Sequence, residues 1–255
     1  MKRSAIFWKK APINMVKIDD IRTVYWKERC EFVAAQRDKK VGWMTPLVLV
    51  VVVGGILPYQ LRSTWTTSGA SILVGMWVMF FRVTNAMADS IVGERERHTL
   101  EALVITPLPR YAIVWGKMLA AITNTAWSML LAMIVALVVS NAPTFHPWHN
   151  YSLIVLVGIM VDGALAALFA AGIGVTISVY SSTTRQAQQI LSSVALLLML
   201  MPLGLQTVAH VSFTSWLTSH HLTQLILDGS VVLILGVGIM VVIAQRSFQH
   251  LLRMR

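Results

Sequence analysis

Apolar residues in this chain come in long runs broken by short charged stretches. A helix needs about 20 apolar residues to cross the hydrocarbon core of a bilayer. Six stretches meet that length, at 41–61, 70–89, 113–140, 151–180, 187–208 and 225–244. The third and fourth are longer than a crossing requires, so tilt, a break or an extension beyond the bilayer is expected. Pro46, Pro58 and Pro202 are expected to kink or end their helices. Residues 203–224 can hold a re-entrant hairpin in place of a simple loop.

Ahead of the first run the period changes. From Ile18 to Lys40 the residues Ile18, Ile21, Tyr25 and Phe32 fall on one helical stripe, ringed by Lys17, Arg22, Lys27, Arg29, Arg37 and Lys39. Glu28 lies on the apolar stripe itself. Two readings stand: a helix resting on the lipid headgroups, or a helix whose Glu28 meets a protein partner. The pattern divides the chain into a polar N-terminal segment, 1–40, and a membrane domain, 41–255. The fold class is all-α integral membrane: six transmembrane helices, an amphipathic interfacial helix before them, and a short cytoplasmic helix between spans two and three.

Composition agrees. Hydrophobic residues make up 56% and charged residues 13%, against about 25% charged in a soluble domain. That excludes a disordered chain, a disulfide scaffold and an ordinary soluble enzyme. The net charge of +10 would suggest nucleic acid in a soluble protein, but the distribution points to the bilayer. Eleven Lys/Arg precede residue 41, and Arg95, Arg97, Arg110, Lys117, Arg185, Arg246, Arg253 and Arg255 fall in alternate loops. The opposite loops hold Arg62 alone. Basic residues stay on the cytoplasmic side, so both termini are expected there and no nucleic-acid partner is expected. Trp43 and Trp115 at inner ends, and Trp65, Trp148 and Trp216 at outer ends, fit aromatic belts.

The most informative stretch is DSIVGERERHTLEALVITPLPRYAIVWGKMLA, residues 89–120. Asp89 and Ser90 can cap a helix. Glu94, Glu96 and Glu101 then sit in a short amphipathic segment with Leu100, Leu103 and Val104 on its apolar face. Pro107 and Pro109 end it. Arg97 with Glu101, and Glu94 with His98, can pair at i, i+4. A rigid acidic rod joined to two spans can pass a partner's motion to them.

From Gly93 onward this stretch resembles the cytoplasmic-loop signature of the ABC-2-type permease family, the membrane subunits of one class of ATP-binding-cassette exporters. Gly93, Glu94, Glu96, Arg97, Thr99, Leu100, Glu101, Thr106, Pro107, Leu108, Gly116 and Lys117 match its pattern. Residues 174–191, GVTISVYSSTTRQAQQIL, are similar to the family's turn between spans four and five.

The resemblance implies a transport subunit and not an enzyme. ATP and Mg belong to a separate ABC ATPase subunit, and no cofactor is expected on this chain. A second permease copy or a related permease completes a dimer in the plasma membrane of a bacterium or archaeon. Glu28, Glu94, Glu96, Arg97 and Glu101 are the implied coupling residues toward the ATPase. The chain carries no GxxxxGK[ST] loop to cradle phosphates: Gly116-Lys117 is followed by Met118, with Tyr111 where the first glycine would stand.

Polar residues inside the spans are costly and face the bundle interior or a cavity. Arg82, Asn85 and Asp89 share one face of span two at i, i+3, i+7. Asn124, Asp162 and Asp228 lie in spans three, four and six, with Asp228 at the outer interface. The first five can line a transport path or a subunit interface. Alternatively, Arg82 pairs internally with Asp89 or Asp162 and holds helices in register. Ala166, Ala170 and Gly174 permit close helix approach. His146, His149, His220 and His221 lack acidic neighbours, so no metal site is expected. A second class of function, an ion- or proton-coupled secondary transporter, would use Arg82, Asp89 and Asp162 as a relay. An intramembrane enzyme would need a convergent nucleophile–base or metal set, and none is visible.

Overall fold

In a computed structural model the chain is described over residues 18–38, 44–99, 108–142, 150–209 and 222–251. Helix is the regular secondary structure throughout these residues, and no strand occurs among them. The helices are α1 (Ile18–Asp38), α2 (Met44–Leu49), a π-helical segment (Val50–Ile56), α3 (Leu57–Leu61), α4 (Ser63–Thr67), α5 (Ala70–Glu96), α6 (Arg110–Asn141), α7 (Leu153–Tyr180), α8 (Thr184–Ala209) and α9 (Leu222–Leu251). Among the described residues, four helices are long and apolar enough to cross a bilayer: Ala70–Glu96, Tyr111–Asn141, Leu153–Tyr180 and Ile226–Ser247.

The expected first and fifth spans are not among those four. Pro46–Leu61 is a shorter apolar helix, interrupted where the chain widens into the π-helical segment. Pro58 accounts for the interruption, because it has no N–H to continue an α-helical ladder. The Leu57 N–H before it bonds back five residues to the Val52 carbonyl. The fifth stretch forms one helix that begins three residues earlier than expected, among polar residues, and runs through Pro202 to Ala209. Pro202 therefore does not end its helix. Of the stretch 203–224, the part from 210 to 221 lies outside the described residues.

Helix α7 is the centre of the bundle, packed against α5 on one side and α9 on the other. Its alanines Ala166, Ala167, Ala170 and Ala171 are buried. A Cβ on Gly174 would stand 2.7 Å from the Met87 Cβ, and one on Gly172 would stand 2.9 Å from the Met240 Cβ. Close approach is what helix association in a bilayer uses, because lipid tails offer no hydrophobic drive between helices. The small-residue stripe thus serves packing within the chain.

The contacts also give direction. Ile72 and Met87 of α5 meet Gly158 and Gly174 of α7, and Ile226 and Met240 of α9 meet Gly158 and Gly172. Helices α5, α7 and α9 therefore run parallel. α6 packs beside them, with Met129 against Gly75 of α5.

At the end where α5 begins, Trp65 is almost fully buried. Its Nε1–H donates to the Tyr151 hydroxyl at 3.1 Å, which donates to the Met133 carbonyl at 3.3 Å. Trp65 is thus an internal bolt and not part of an aromatic belt facing headgroups. Trp43, Trp148 and Trp216 lie outside the described residues.

At the other end, α5 does not stop at Asp89 but continues to Glu96, so Asp89 and Ser90 do not cap a new helix. The exit is a Schellman turn. His98 takes positive φ (57°). Its N–H bonds the Arg95 carbonyl at 3.1 Å, and the Thr99 N–H bonds the Glu94 carbonyl at 2.9 Å. Glu94 and Glu96 therefore ride on the last turn of a span-length helix. Of the helix expected over 94–106, residues 94–96 end α5 and 97–99 form this turn, while Glu101, and with it the Arg97–Glu101 pair, lies outside the described residues.

Candidate functional site

Helix α1 lies across the start of α6. The crossing is possible because position 116 has no side chain: a Cβ on Gly116 would sit 2.6 Å from the Val24 Cβ and 3.2 Å from the Ile21 carbonyl oxygen. Ile21, Val24, Tyr25, Glu28 and Phe32 form the covered face of α1, and Val24 is its buried centre. The expected stripe is therefore the docking face, but it rests on the chain's own α6 instead of on headgroups. Ile18, at the end of that stripe, is 77% exposed.

One turn beyond Val24, Glu28 is only 2% exposed and meets Lys117, the residue after Gly116, which is 1% exposed. The Lys117 Nζ stands 2.6 Å from Glu28 Oε1 and 3.0 Å from Glu94 Oε1. It also donates to the Ser90 carbonyl at 3.2 Å and the Ser90 Oγ at 3.0 Å. The Ser90 hydroxyl donates to Glu28 Oε2 at 2.8 Å. Lys27 closes the cluster from the solvent side, 2.8 Å from Glu94 Oε1, 3.3 Å from Glu31 and 3.6 Å from Glu28. Partial burial works against the charge on Lys27. The hydrogen bond and charge of Glu94, with Glu28 and Glu31 behind them, outweigh it and hold the ammonium well above its ordinary value. Glu28, Glu31 and Glu94 come close enough to share a cation, but the two lysines already stand between them.

The next two residues of α5 reach other elements. Arg95 donates to the Ser181 carbonyl at 2.7 Å and the Val179 carbonyl at 3.0 Å. These are end carbonyls of α7, which have no partner within their own helix. The carboxylate of Glu96 accepts from the Thr184 N–H at 2.8 Å and its hydroxyl at 2.6 Å. Thr184 opens α8, so a cation sits at one helix's C-terminus and an anion at the next helix's N-terminus, the favourable sign at both ends. Further back, Gln188 of α8 donates to Asp89 Oδ1 at 2.8 Å. The two segments that carried the family resemblance thus touch. A cleft of about 280 Å³ remains between α1, α5 and α8, lined by Glu31, Phe32, Asp89, Glu96 and Arg97 among others.

The expected coupling residues divide accordingly. Glu28 and Glu94 are buried and paired within the chain, while Glu96 and Arg97 are exposed at the end of α5. Glu94 takes lysine partners in place of His98, which lies past the helix end.

The intramembrane set is not one constellation. Among the described contacts Arg82 makes no ion pair with Asp89 or Asp162, and its Nη1 is buried with no hydrogen-bond partner. Asp89 faces Gln188, and buried Asp162 accepts from the Ser230 hydroxyl of α9 at 2.7 Å. The Asn85 amide bonds back to the Phe81 carbonyl at 2.8 Å. Asn124 is half-buried on α6, and Asp228 is exposed. The expected internal pairing of Arg82 does not form.

Sequence reasoning placed none of Lys27, Ser90, Arg95 and Lys117 in this cluster: it read Ser90 as a helix cap, Lys117 as part of the loop signature, and Lys27 and Arg95 as charges on the cytoplasmic side. A usable signal was present: an acid on the apolar face of α1, and a lysine beside a small residue on a helix that must bury its surface.

Residues 71–228 match a family model described as ABC-2 family transporter protein. The chain is similar to the ABC transporter permease protein NatB of Bacillus subtilis (strain 168), with 29% identity over 137 residues, covering 50% of this chain and 35% of that protein. The chain thus spans about a third of the length of this curated relative.

Proposed function

This chain belongs to the ABC-2 family of transporter proteins, and from that membership we propose that it is the exporting permease subunit of a complex whose ATP hydrolysis is done by a separate ABC ATPase. Its apolar helices make it an integral membrane protein, and its family makes it a transport subunit. The finer reading is that two copies, or this chain and a related permease, pair with two ATPase subunits. ATP and Mg are held by those subunits. Both termini face the cytoplasm of a bacterium or archaeon, and cargo leaves toward the outside.

One observation supports this reading above the others. Three consecutive residues at the end of α5 bind in three directions: Glu94 to α1 and α6, Arg95 to the end of α7, and Glu96 to the start of α8. Force applied next to residue 96 reaches four helices without passing through a flexible linker. Closure of the ATPase pair against α1 and the 94–106 segment would then bias the spans between two arrangements, a population shift driven by differential binding in the two states.

The ion-coupled reading draws no support from the geometry, because among the described residues Arg82 pairs with neither acid, and Asp89 and Asp162 keep separate partners. The two readings separate in one preparation. Purification of the tagged chain from its native membrane is expected to bring down a P-loop ATPase. Reconstituted vesicles are expected to need ATP on the cytoplasmic face for cargo movement. Ion-driven flux by the chain alone would replace this reading with the secondary transporter.

A further inference from the structure

The four charges at the α1 crossing form a square of alternating sign, and each half of it is neutral by itself. α1 brings Lys27 and Glu28, and the α5–α6 side brings Glu94 and Lys117. Across the boundary the separations are 2.6 Å (Lys117–Glu28) and 2.8 Å (Lys27–Glu94). Within each half they are 3.0 Å (Lys117–Glu94) and 3.6 Å (Lys27–Glu28). The docked arrangement favours the cross pairs, yet every member has a second partner on its own side. Lys117 keeps Glu94 and both Ser90 oxygens, and Lys27 keeps Glu28 and Glu31.

An ordinary buried ion pair cannot be pulled apart cheaply, because separation strands a charge in a low-dielectric site. Here, separation exchanges partners and strands none. The docked state is also incompletely satisfied, since Glu94 Oε2 is buried with no hydrogen-bond partner among the described residues. A half-satisfied polar network holds less firmly than a complete one.

We propose that Lys27, Glu28, Glu94 and Lys117 are positioning residues that form a partner-exchanging clasp, which lets α1 dock on and release from the α5–α6 pair during the transport cycle. The clasp determines whether motion of α1 reaches the spans. This inference rests on the reading of α1 as a coupling element.

The test inverts the cross pairs and keeps the 27–28 and 94–117 pairs. In the chain reconstituted with its ATPase partner, and carrying Glu31→Gln throughout so that position 27 faces no further acid on α1, Lys27→Glu combined with Glu28→Lys keeps net charge and the pairing between positions 27 and 28. Both cross pairs then become like-charge contacts, which are strongly unfavourable. Reversing all four positions, by adding Glu94→Lys and Lys117→Glu, restores opposite signs across the boundary. Docking is read by maleimide labelling of Val24→Cys in a Cys30→Ser background, because Val24 is buried where α1 packs on Gly116. Coupling is read by cargo-stimulated ATPase turnover.

The paired swap is expected to raise labelling and lower stimulated turnover by about tenfold, within the range of ordinary coupling energies. The fourfold reversal is expected to restore both. The clasp is overturned if the paired swap leaves labelling unchanged, if labelling rises while turnover does not fall, or if the fourfold reversal restores neither or fails to fold. If the unaltered complex shows no stimulated turnover with any ATPase partner, the transport reading fails. The labelling arm still decides whether α1 docks through the square.

Discussion

Lys117 and Arg82 are both cations on helices long enough to cross a bilayer, and the protein treats them in opposite ways. Lys117 is surrounded: two carboxylates and both oxygens of a serine lie within 3.2 Å of its ammonium. Arg82 keeps a buried Nη1 with no hydrogen-bond partner among the described residues, although Asp89 lies two turns along its own face. The first is a joint, where charge fixes how helices sit together. The second is a cation that no acid among the described residues pairs with. Being an ionisable residue in a span therefore says little about role; the counter-charge within reach says more. Asp162 stands between them, buried with one hydroxyl partner.

The comparison can be broken by substitution. Lys117→Met leaves Glu28 and Glu94 facing each other in a buried site, and removing one member of a buried ionic set costs about 3–5 kcal/mol. The expected outcome is a large loss of folded protein in detergent, read by denaturant or thermal unfolding. A loss below about 1 kcal/mol would show that the cluster is not the joint it resembles. Gly116→Val tests the steric half of the same joint. It drives a branched side chain into Val24 and is expected to cost about 1–3 kcal/mol, with part of the loss recovered by Val24→Ala in the same unfolding assay.

Glu96→Gln comes next. Its contacts with Thr184 are exposed, so a small loss of stability that shrinks as salt is added is expected. Arg82→Met is expected to change stability least, because it removes no ion pair or hydrogen bond found among the described residues, while reducing ATP-dependent transport in vesicles. If Arg82→Met destabilises as much as Lys117→Met, the contrast disappears and Arg82 has a structural partner after all.

The helices that cross were legible from the chain because their cause is local. Inside a bilayer every backbone group must bond within its own segment, so a long apolar run dictates a helix wherever its neighbours lie. Expected spans at 70–89, 113–140, 151–180 and 225–244 fall within α5, α6, α7 and α9 or their near ends. The docking face of α1 was legible for a similar reason, since a stripe at helical spacing needs only one helix to exist. An interruption at Pro58 was expected, but its π-helical form and the passage of α8 through Pro202 were not legible, because a proline's effect depends on which neighbouring groups take up the freed carbonyl.

The sequence by itself determined an all-helical membrane chain, its family, and an acid on the wrong face of an amphipathic helix. Tertiary structure alone decided what that acid meets. Glu28 stands 62 positions from Ser90 and 89 from Lys117, and no periodicity links them. Their meeting depends on how far each helix is rotated and how closely it approaches. Those two quantities are set by contacts such as Gly116 on Val24 and Gly174 on Met87, which exist only once the helices have packed.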